Sequence, residues 1–481
     1  MATVTLNSGA DDADALLMAT ALPAALPRPV AKRRSVAPAL PVYSGPFGEA
    51  QAERLLWRAG FGPRRGEAQA LAAKGLRGAV LSLTRPPRAR LEGPAPVDSK
   101  GRPIAPGDAW GHDHLWWLDR MVRTNQPLVE RMALNWHDWF ATGDVGATRL
   151  NLAQNSLMRR RALGSFATLL SDLTRDPAML LWLSGTENSK DAPNENYARE
   201  MMELFTLGAA RGYTEDDVRQ MARALTGYTN DWSDSVGPHR FRYEARGHDA
   251  GVKRIFGKRG KFDWRDACRL CLENRAHPSY FVGKLWSYFV PTPPAARTVS
   301  SLSSLYVRGS YEVRPVVEAI LMHPDLHEGP RLVKPAIVYV AGLLRTRGRP
   351  LTTESWTWLS HLSGQMLFQP PNVAGWDEAR WLDTATICGR WKAANTSLQD
   401  QEIETDDASY DITETPEAAV SSAIAFWGGP VITPETRGRL LAFSQRCADG
   451  IEHRWQERSY RVLRQNALRM LVATSPDFQT C

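Results

Sequence analysis

The chain has 481 residues, 43% of them hydrophobic, and a formal net charge of +7 at pH 7. This length suits two or three ordinary domains or one large helical body, and the 17 tryptophans supply ample material for a core. The modest charge does not indicate nucleic-acid binding, and no apolar run approaches the roughly 18 residues of a transmembrane helix.

The sequence divides into four regions. Residues 1–45 are rich in Ala and Pro without sustained periodicity, which is typical of a flexible leader. No export signal is visible there, because the mildly apolar stretch 16–26 follows acidic residues where a signal peptide carries basic ones. A main helical domain at 46–399 is followed by an acidic, exposed linker at 400–416, and C-terminal helices at 417–481 are expected to pack back on the main domain.

Apolar residues recur at helical spacing through most of the chain, so we predict a mainly α fold with one large, bundle-like, multi-helix body. Gly60 and Gly75 are placed to end the first two helices. Residues 228–262 are rich in Gly, aromatic and basic residues, and the alternation at 239–243 indicates a strand, so an irregular insertion with a small β-hairpin is expected there. The predicted helices are 49–59, 66–74, 108–122, 127–140, 150–163, 165–174, 194–205, 214–227, 264–273, 279–289, 313–321, 334–345, 356–362, 380–395, 434–445 and 460–473.

Five sparsely placed cysteines do not form the pattern of a disulfide framework. Cys268 and Cys271 have the spacing of half a zinc site but lie within a predicted helix without a second pair elsewhere. We interpret them as ordinary core or interface thiols.

The most informative stretch is 194–205, which begins at Asn194. On an α-helix Asn196, Glu200 and Glu203 would fall at i, i+4 and i+7 and share one face, with Arg199 bordering it. The opposite face is apolar. Such a helix can lie in a core while presenting a polar stripe to a cleft.

Two interpretations of this stripe stay open. In the first it is a metal or acid–base site, with Glu200 and Glu203 as ligand and general base and Arg199 as a clamp for a carboxylate or an oxyanion. In the second it is a buried ion network that fixes helix packing, for instance Glu203 with Arg199 or Arg223.

Histidines and a tryptophan supply further candidates. His137 borders an apolar helical stripe and is either a hydrogen-bonded core residue or a ligand. His248 and Asp249 lie in a loop with Lys253 and are either a base with its orienting partner, an anion-binding corner, or unrelated neighbours. Trp376 either lines a cleft or anchors its loop.

Seven motifs occur along the chain in a fixed order. They are Trp-His-Asp-Trp-Phe at 136–140, the segment 194–205, Tyr-Thr-Glu-Asp-Asp-Val at 213–218, Ala-Arg-Ala-Leu-Thr-Gly at 222–227, His-Asp-Ala-Gly-Val-Lys at 248–253, Lys-Leu-Trp at 284–286 and Pro-Pro-Asn-Val-Ala-Gly-Trp at 370–376. In this order they resemble a bacterial family known as domain of unknown function 1800, from about residue 52 to the C-terminus. The resemblance implies no established reaction; it implies that members are often exported and are often encoded beside a sulfatase-like protein.

The chain departs from the family pattern at two positions. Trp139 stands where the family usually has a second histidine, and Gly212 stands where it often has a histidine before the Tyr-Thr-Glu segment. If those histidines bind a metal in relatives, this chain has lost that site. The usual export signal is also not visible, so the localisation stays open.

Two functional hypotheses follow. The first is a helical enzyme, a hydrolase or oxidase with a His/Glu/Asp/Arg cleft, holding a divalent metal through mixed nitrogen and oxygen ligands. The second is a non-catalytic binding or assembly protein that acts with the sulfatase-like partner, without nucleic acid and without a membrane span. The candidate residues are, for catalysis, Glu200, Glu203, Arg199, His248 and Asp249; for binding, Asn194, Asn196, Arg223, Lys253 and Trp376; and for a metal, His137, Glu200 and His248.

Overall fold

The computed structural model describes residues 40–399 and 414–481, with the side chains of 454–459 left out. In that part of the chain 22 α-helices and two small antiparallel sheets occur, and the structure is 55% helical. The mainly α prediction is confirmed. The predicted leader up to residue 39 and the predicted linker from 400 to 413 lie outside the described residues.

The α-helices are Glu49–Arg58, Glu67–Ala72, Gly75–Thr84, His112–Arg123, Pro127–Trp139, Thr148–Arg160, Phe166–Thr174, Pro177–Trp182, Asn196–Glu200, Glu215–Ala224, Trp264–Glu273, His277–Ser287, Ala296–Arg308, Val313–Leu321, Pro324–His327, Ala336–Arg347, Ser355–Leu362, Thr384–Leu398, Pro416–Phe426, Pro434–Asp449, Arg454–Thr474 and Pro476–Gln479. A π-helix spans Met201–Thr206, and 3₁₀-helices span Ala245–Gly247 and Glu378–Arg380. No described helix is both long enough and apolar enough to cross a lipid bilayer.

Several helices were not predicted, among them Gly75–Thr84, Pro177–Trp182 and Ala296–Arg308. The helix before Gly75 ends at Ala72, and Gly75, with a positive φ of +64°, is the first residue of the next helix. The helix Ala296–Arg308 was not predicted, since its four serines have low helix propensity. Burial of Leu302 and Tyr306 stabilises it, which is a tertiary contribution that outweighs local preference.

The predicted hairpin insertion is confirmed. Strand Tyr228–Ser233 pairs with Gly237–Tyr243, and a register shift near Asp231 bends the pair. A second, shorter hairpin joins Lys253–Ile255 to Lys258–Gly260 and was not predicted. Three-residue strands carry too little alternation to be recognised in a sequence.

Two apolar clusters form the core, and the helix Pro127–Trp139 contributes to both. Its Trp136 and Trp139 belong to the first cluster, while Ala133 and Leu134 belong to the second. The second cluster also contains residues from the N-terminal, central and C-terminal helices: Trp57, Trp117, Ile337, Trp427 and Phe478. A helix buried between two clusters places most of its side chains against protein, which decides the environment of its polar residues.

Candidate functional site

The segment that carries the polar stripe consists of two kinds of helix. An α-helix at Asn196–Glu200 passes directly into the π-helix at Met201–Thr206. A π-helix has i→i+5 hydrogen bonds and therefore more residues per turn, and such turns occur frequently at functional sites. The α-helical spacing that placed Glu203 on the predicted polar face ends at Glu200.

Side chains from two other motifs donate hydrogen bonds to the π-turn. The Trp139 Nε1 donates to Phe205 O at 3.1 Å. Leu204 O accepts two donors, the Tyr280 hydroxyl at 2.6 Å and the Lys284 Nζ at 3.3 Å. The Lys284 ammonium also lies 4.8 Å from the centre of the Trp139 ring, a cation–π distance. Motifs far apart in the sequence therefore meet at this turn.

Glu200 and Glu203, the two carboxylates predicted as catalytic, are both half-buried. Burial, and after it the negative charge of Glu203, raise the pKa of Glu200. Burial is the largest cause of a raised Tyr213 pKa, and the charge of Glu203 also raises it.

Arg199 is held in ion pairs with two glutamates whose side chains are solvent-exposed. Its guanidinium donates to both carboxylate oxygens of Glu215, at 2.9 and 2.7 Å, and reaches Glu195 at 3.5 Å. These hydrogen bonds raise the pKa of Arg199 and lower that of Glu215. Asn194 Oδ1 accepts from the Asn196 backbone N–H at 2.9 Å and so forms the turn that precedes the helix.

The loop after the first hairpin is fastened to the helix Glu215–Ala224. Arg223 Nε donates to Asp249 Oδ2 at 2.6 Å, and this bond is the main cause of a lowered Asp249 pKa. The buried Lys253 Nζ donates to the Asp249 carbonyl. The partner that we predicted for Arg199 or Arg223 was Glu203, but their salt bridges are to other carboxylates.

His248 does not form the predicted base–orienter pair with Asp249. Its Nδ1 lies 3.1 Å from Thr226 O and 3.2 Å from Thr226 Oγ1. The Asp249 backbone N–H also donates to Thr226 Oγ1, at 2.9 Å. Adjacent loop residues diverge, so Thr226 orients the imidazole while the Asp249 carboxylate faces Arg223.

His137 lies in the core, where its Nε2 accepts a hydrogen bond from Phe368 N at 3.2 Å. Burial lowers its pKa to about 3, so the ring is neutral near pH 7. The Trp376 ring packs on it with centroids 5.4 Å apart. The predicted metal set of His137, Glu200 and His248 is therefore not assembled: among the described residues, no three His, Cys, Asp or Glu side chains form a group that could hold a metal ion.

Asp138 was not among the predicted site residues, although it joins distant parts of the chain. Its Oδ2 accepts from the Tyr288 hydroxyl at 2.7 Å, and its Oδ1 accepts from the Trp376 backbone N–H at 2.9 Å. Gly375 has φ +90°, and a Cβ added there would lie 2.7 Å from Asp138 O. Only glycine permits this close approach, so the loop 370–376 is seated directly on Asp138.

A small cavity adjoins the Asp138 carboxyl and is also lined by Arg131, Tyr288 and Glu378. Its free volume is about 20 Å³, room for about one water molecule. Burial raises the pKa of Asp138 and lowers that of Arg131 to about 10. Lys284, beside Asp138, has its pKa lowered by burial to about 8. The Nε and Nη1 of Arg131 have no hydrogen-bond partner in the described part of the chain, which a water in the cavity would provide.

A family model described as "Protein of unknown function (DUF1800)" matches residues 54–480. The chain belongs to this family. The match spans all seven motifs, so the predicted membership is confirmed. Comparisons with curated proteins and with solved structures found no match.

Trp139 and Gly212, at the two positions where the resemblance leads us to expect histidines, both have a packing role here. Trp139 is fully buried in the first apolar cluster. Gly212 has φ +73°, and an added Cβ would lie 3.0 Å from Asn274 Oδ1 and 3.3 Å from Ala276 Cβ. A larger residue at 212 would be strained, so the local backbone is adapted to glycine.

Proposed function

We propose that this chain is a non-catalytic binding protein whose charged motif residues pair with one another and do not serve a reaction. The observation that carries the proposal is that charged residues of the motifs form ion pairs with one another. Arg199 is bidentate to Glu215, and Arg223 is bound to Asp249. An active site instead leaves its acid, base and charged clamp converging on space for a reacting atom.

The environments of His137 and Asp138 support the same proposal. His137 is a neutral core residue that accepts a backbone hydrogen bond. The cavity beside Asp138 has room for about one water, far below the several hundred Å³ of an ordinary ligand pocket. In this proposal both residues join the two core clusters and the loop 370–376.

A double-mutant cycle on Arg223 and Asp249 tests the structural role. We expect Arg223→Leu and Asp249→Leu each to cost about 1–3 kcal/mol of unfolding free energy, since each removes the charge-assisted hydrogen bonds that join this partly buried pair. The double variant should recover much of this loss. Urea unfolding measures all four proteins. The matched control is the highly exposed pair Arg439 and Glu435, whose coupling should be close to zero.

An absence of coupling would contradict the structural role of this pair. If Arg223 and Asp249 show no coupling, the pair does not hold the loop, and the two side chains are free to act on a ligand. The sulfatase-like protein expected from the resemblance is a defined binding partner to examine first. Light scattering after gel filtration of the mixed proteins measures whether a complex forms.

A second candidate, an acid–base enzyme, is favoured by one observation. Glu200 has a raised pKa beside Glu203 and Tyr213 at a π-turn, and perturbed carboxylates concentrate at active sites. Carbodiimide labelling at pH 6 tests it, because this reagent modifies protonated carboxyls that solvent reaches. Labelling of Glu200 faster than of the exposed Glu187 would favour the enzyme; slower labelling would favour the binding protein.

A further inference from the structure

Two tryptophans meet on the surface far from the polar motifs in sequence. Trp110 and Trp358 are 56% and 58% exposed, and their ring centroids lie 5.0 Å apart. A third, Trp391, is 50% exposed. Single exposed apolar residues need no explanation, but large contiguous aromatic surface in water is unusual and marks binding sites.

The tryptophan pair separates two grooves. Trp358 lines one of about 650 Å³, and Trp110 lines another of about 250 Å³. The larger is within the range of ordinary ligand sites. Because the two rings are in contact, an extended ligand could occupy both grooves and lie across the ring pair.

The larger groove is lined by hydroxyls, amides and cations. Arg347, Arg349 and Lys392 line it, and its described lining includes no Asp or Glu. Its polar uncharged lining residues include Ser99, Thr352, Thr353, Ser355, Asn395 and Thr396. This groove suits a ligand that carries negative charge and many hydroxyl groups.

The smaller groove has a different charge. Asp113 and Asp144 line it, beside Thr148 and Asn151. Carboxylates and amides accept hydrogen bonds from hydroxyl groups but repel phosphates. A nucleic acid, with a phosphate at every residue, would meet these carboxylates; a sugar chain with scattered acidic groups would not.

We propose that the surface formed by Trp110, Trp358 and the two grooves binds an acidic polysaccharide in which uronates alternate with neutral sugars. The tryptophan faces stack on the apolar faces of the sugar rings, and Arg349 and Lys392, both exposed, contact the carboxylates. The inference rests on the proposed binding function and names its ligand class.

Native affinity electrophoresis of the full chain tests the site, with hyaluronate, which has one carboxylate per two sugars, or neutral dextran in the gel. We expect hyaluronate to retard the wild-type protein, and Trp358→Ala and Trp110→Ala each to weaken retardation about tenfold. The double variant R349Q/K392Q should bind hyaluronate weakly and lose most of the salt dependence. Trp232→Ala is the matched control, because Trp232 is 69% exposed on the first hairpin and is not among the residues that line either groove. Thermal unfolding verifies that each variant is folded.

Several outcomes would overturn the inference. They are no retardation of folded wild type by hyaluronate, equal retardation by dextran, equal losses in Trp358→Ala and Trp232→Ala, or stronger retardation by single-stranded DNA. A different outcome separates the two proposals. If hyaluronate binds at the tryptophans but its chains shorten during incubation, the site stands and the non-catalytic function is refuted.

Discussion

Lys284 provides a quantitative test of the energetics around the π-turn, because burial lowers its pKa from an ordinary 10.5 to about 8. At 1.36 kcal/mol per pKa unit, this difference corresponds to about 3 kcal/mol of unfolding free energy that depends on pH. Lys284 is not fully enclosed, so we expect about 2–3 kcal/mol. Lys284→Met removes the titrating group and preserves most of the side chain's apolar length.

The direction of the effect follows from the two pKa values. The unfolded chain keeps Lys284 protonated up to about 10.5, while the folded protein releases the proton near 8. The neutral lysine therefore contributes stability that is fully present above about pH 10.5 and is lost as the pH falls through about 8. The wild type should gain this free energy between those two pH values, and Lys284→Met should not.

Urea unfolding followed by circular dichroism, repeated from about pH 7.5 to 10.5, measures the effect as a difference between wild type and variant. Groups that titrate in both proteins cancel in this difference. Lys261→Met is the control, since Lys261 is exposed and should leave the pH dependence unchanged. A wild-type-minus-variant difference that stays constant across this range would refute the argument that burial lowers the Lys284 pKa.

Three further substitutions have expected sizes, each measured by urea unfolding near pH 7. Gly375→Ala should lower the unfolding free energy by about 2–3 kcal/mol, because φ is +90° and the new Cβ would press on Asp138. An unchanged stability would mean that the loop 370–376 does not pack tightly on Asp138. Tyr288→Phe should lower the unfolding free energy by about 1–3 kcal/mol, because it removes a hydrogen-bond donor from the Asp138 carboxylate. It should also shift the pH dependence of the unfolding free energy, which the loss of a purely steric contact would not do. Arg199→Ala should cost under about 1 kcal/mol, because the pair with Glu215 is solvent-exposed; a larger loss would contradict the treatment of this pair as a surface network.

The local signals in the sequence were sufficient for most helices and for the hairpin. Thr214 and Asp217 form the predicted capping box, with Asp217 N donating to Thr214 Oγ1 at 3.2 Å and Thr214 N donating to Asp217 Oδ2 at 2.9 Å. Alternation at 239–243 corresponds to the strand Gly237–Tyr243. These elements were predictable because their hydrogen bonds join residues a few positions apart.

The change from α-helix to π-helix within the segment 194–205 could not be predicted from the spacing of its residues. A 3.6-residue period places Glu203 with Asn196 and Glu200, but the chain changes to a π-helix at Met201–Thr206. The donors to Leu204 O and Phe205 O come from elsewhere in the fold and satisfy carbonyls at that turn. A local pattern therefore identified the right segment and the wrong geometry.

By itself the sequence determined the mainly α architecture, the hairpin insertion and the membership of a family, because periodicity, capping and motif order are recorded in neighbouring residues. Only the tertiary structure decided which residues of the motifs contact one another. Asp138 accepts hydrogen bonds from Tyr288 and Trp376, which lie 150 and 238 positions further along the chain. The sequence around Asp138 therefore does not indicate these bonds. The tryptophan surface has the same origin, since Trp110 and Trp358 touch only after two distant helical regions pack together.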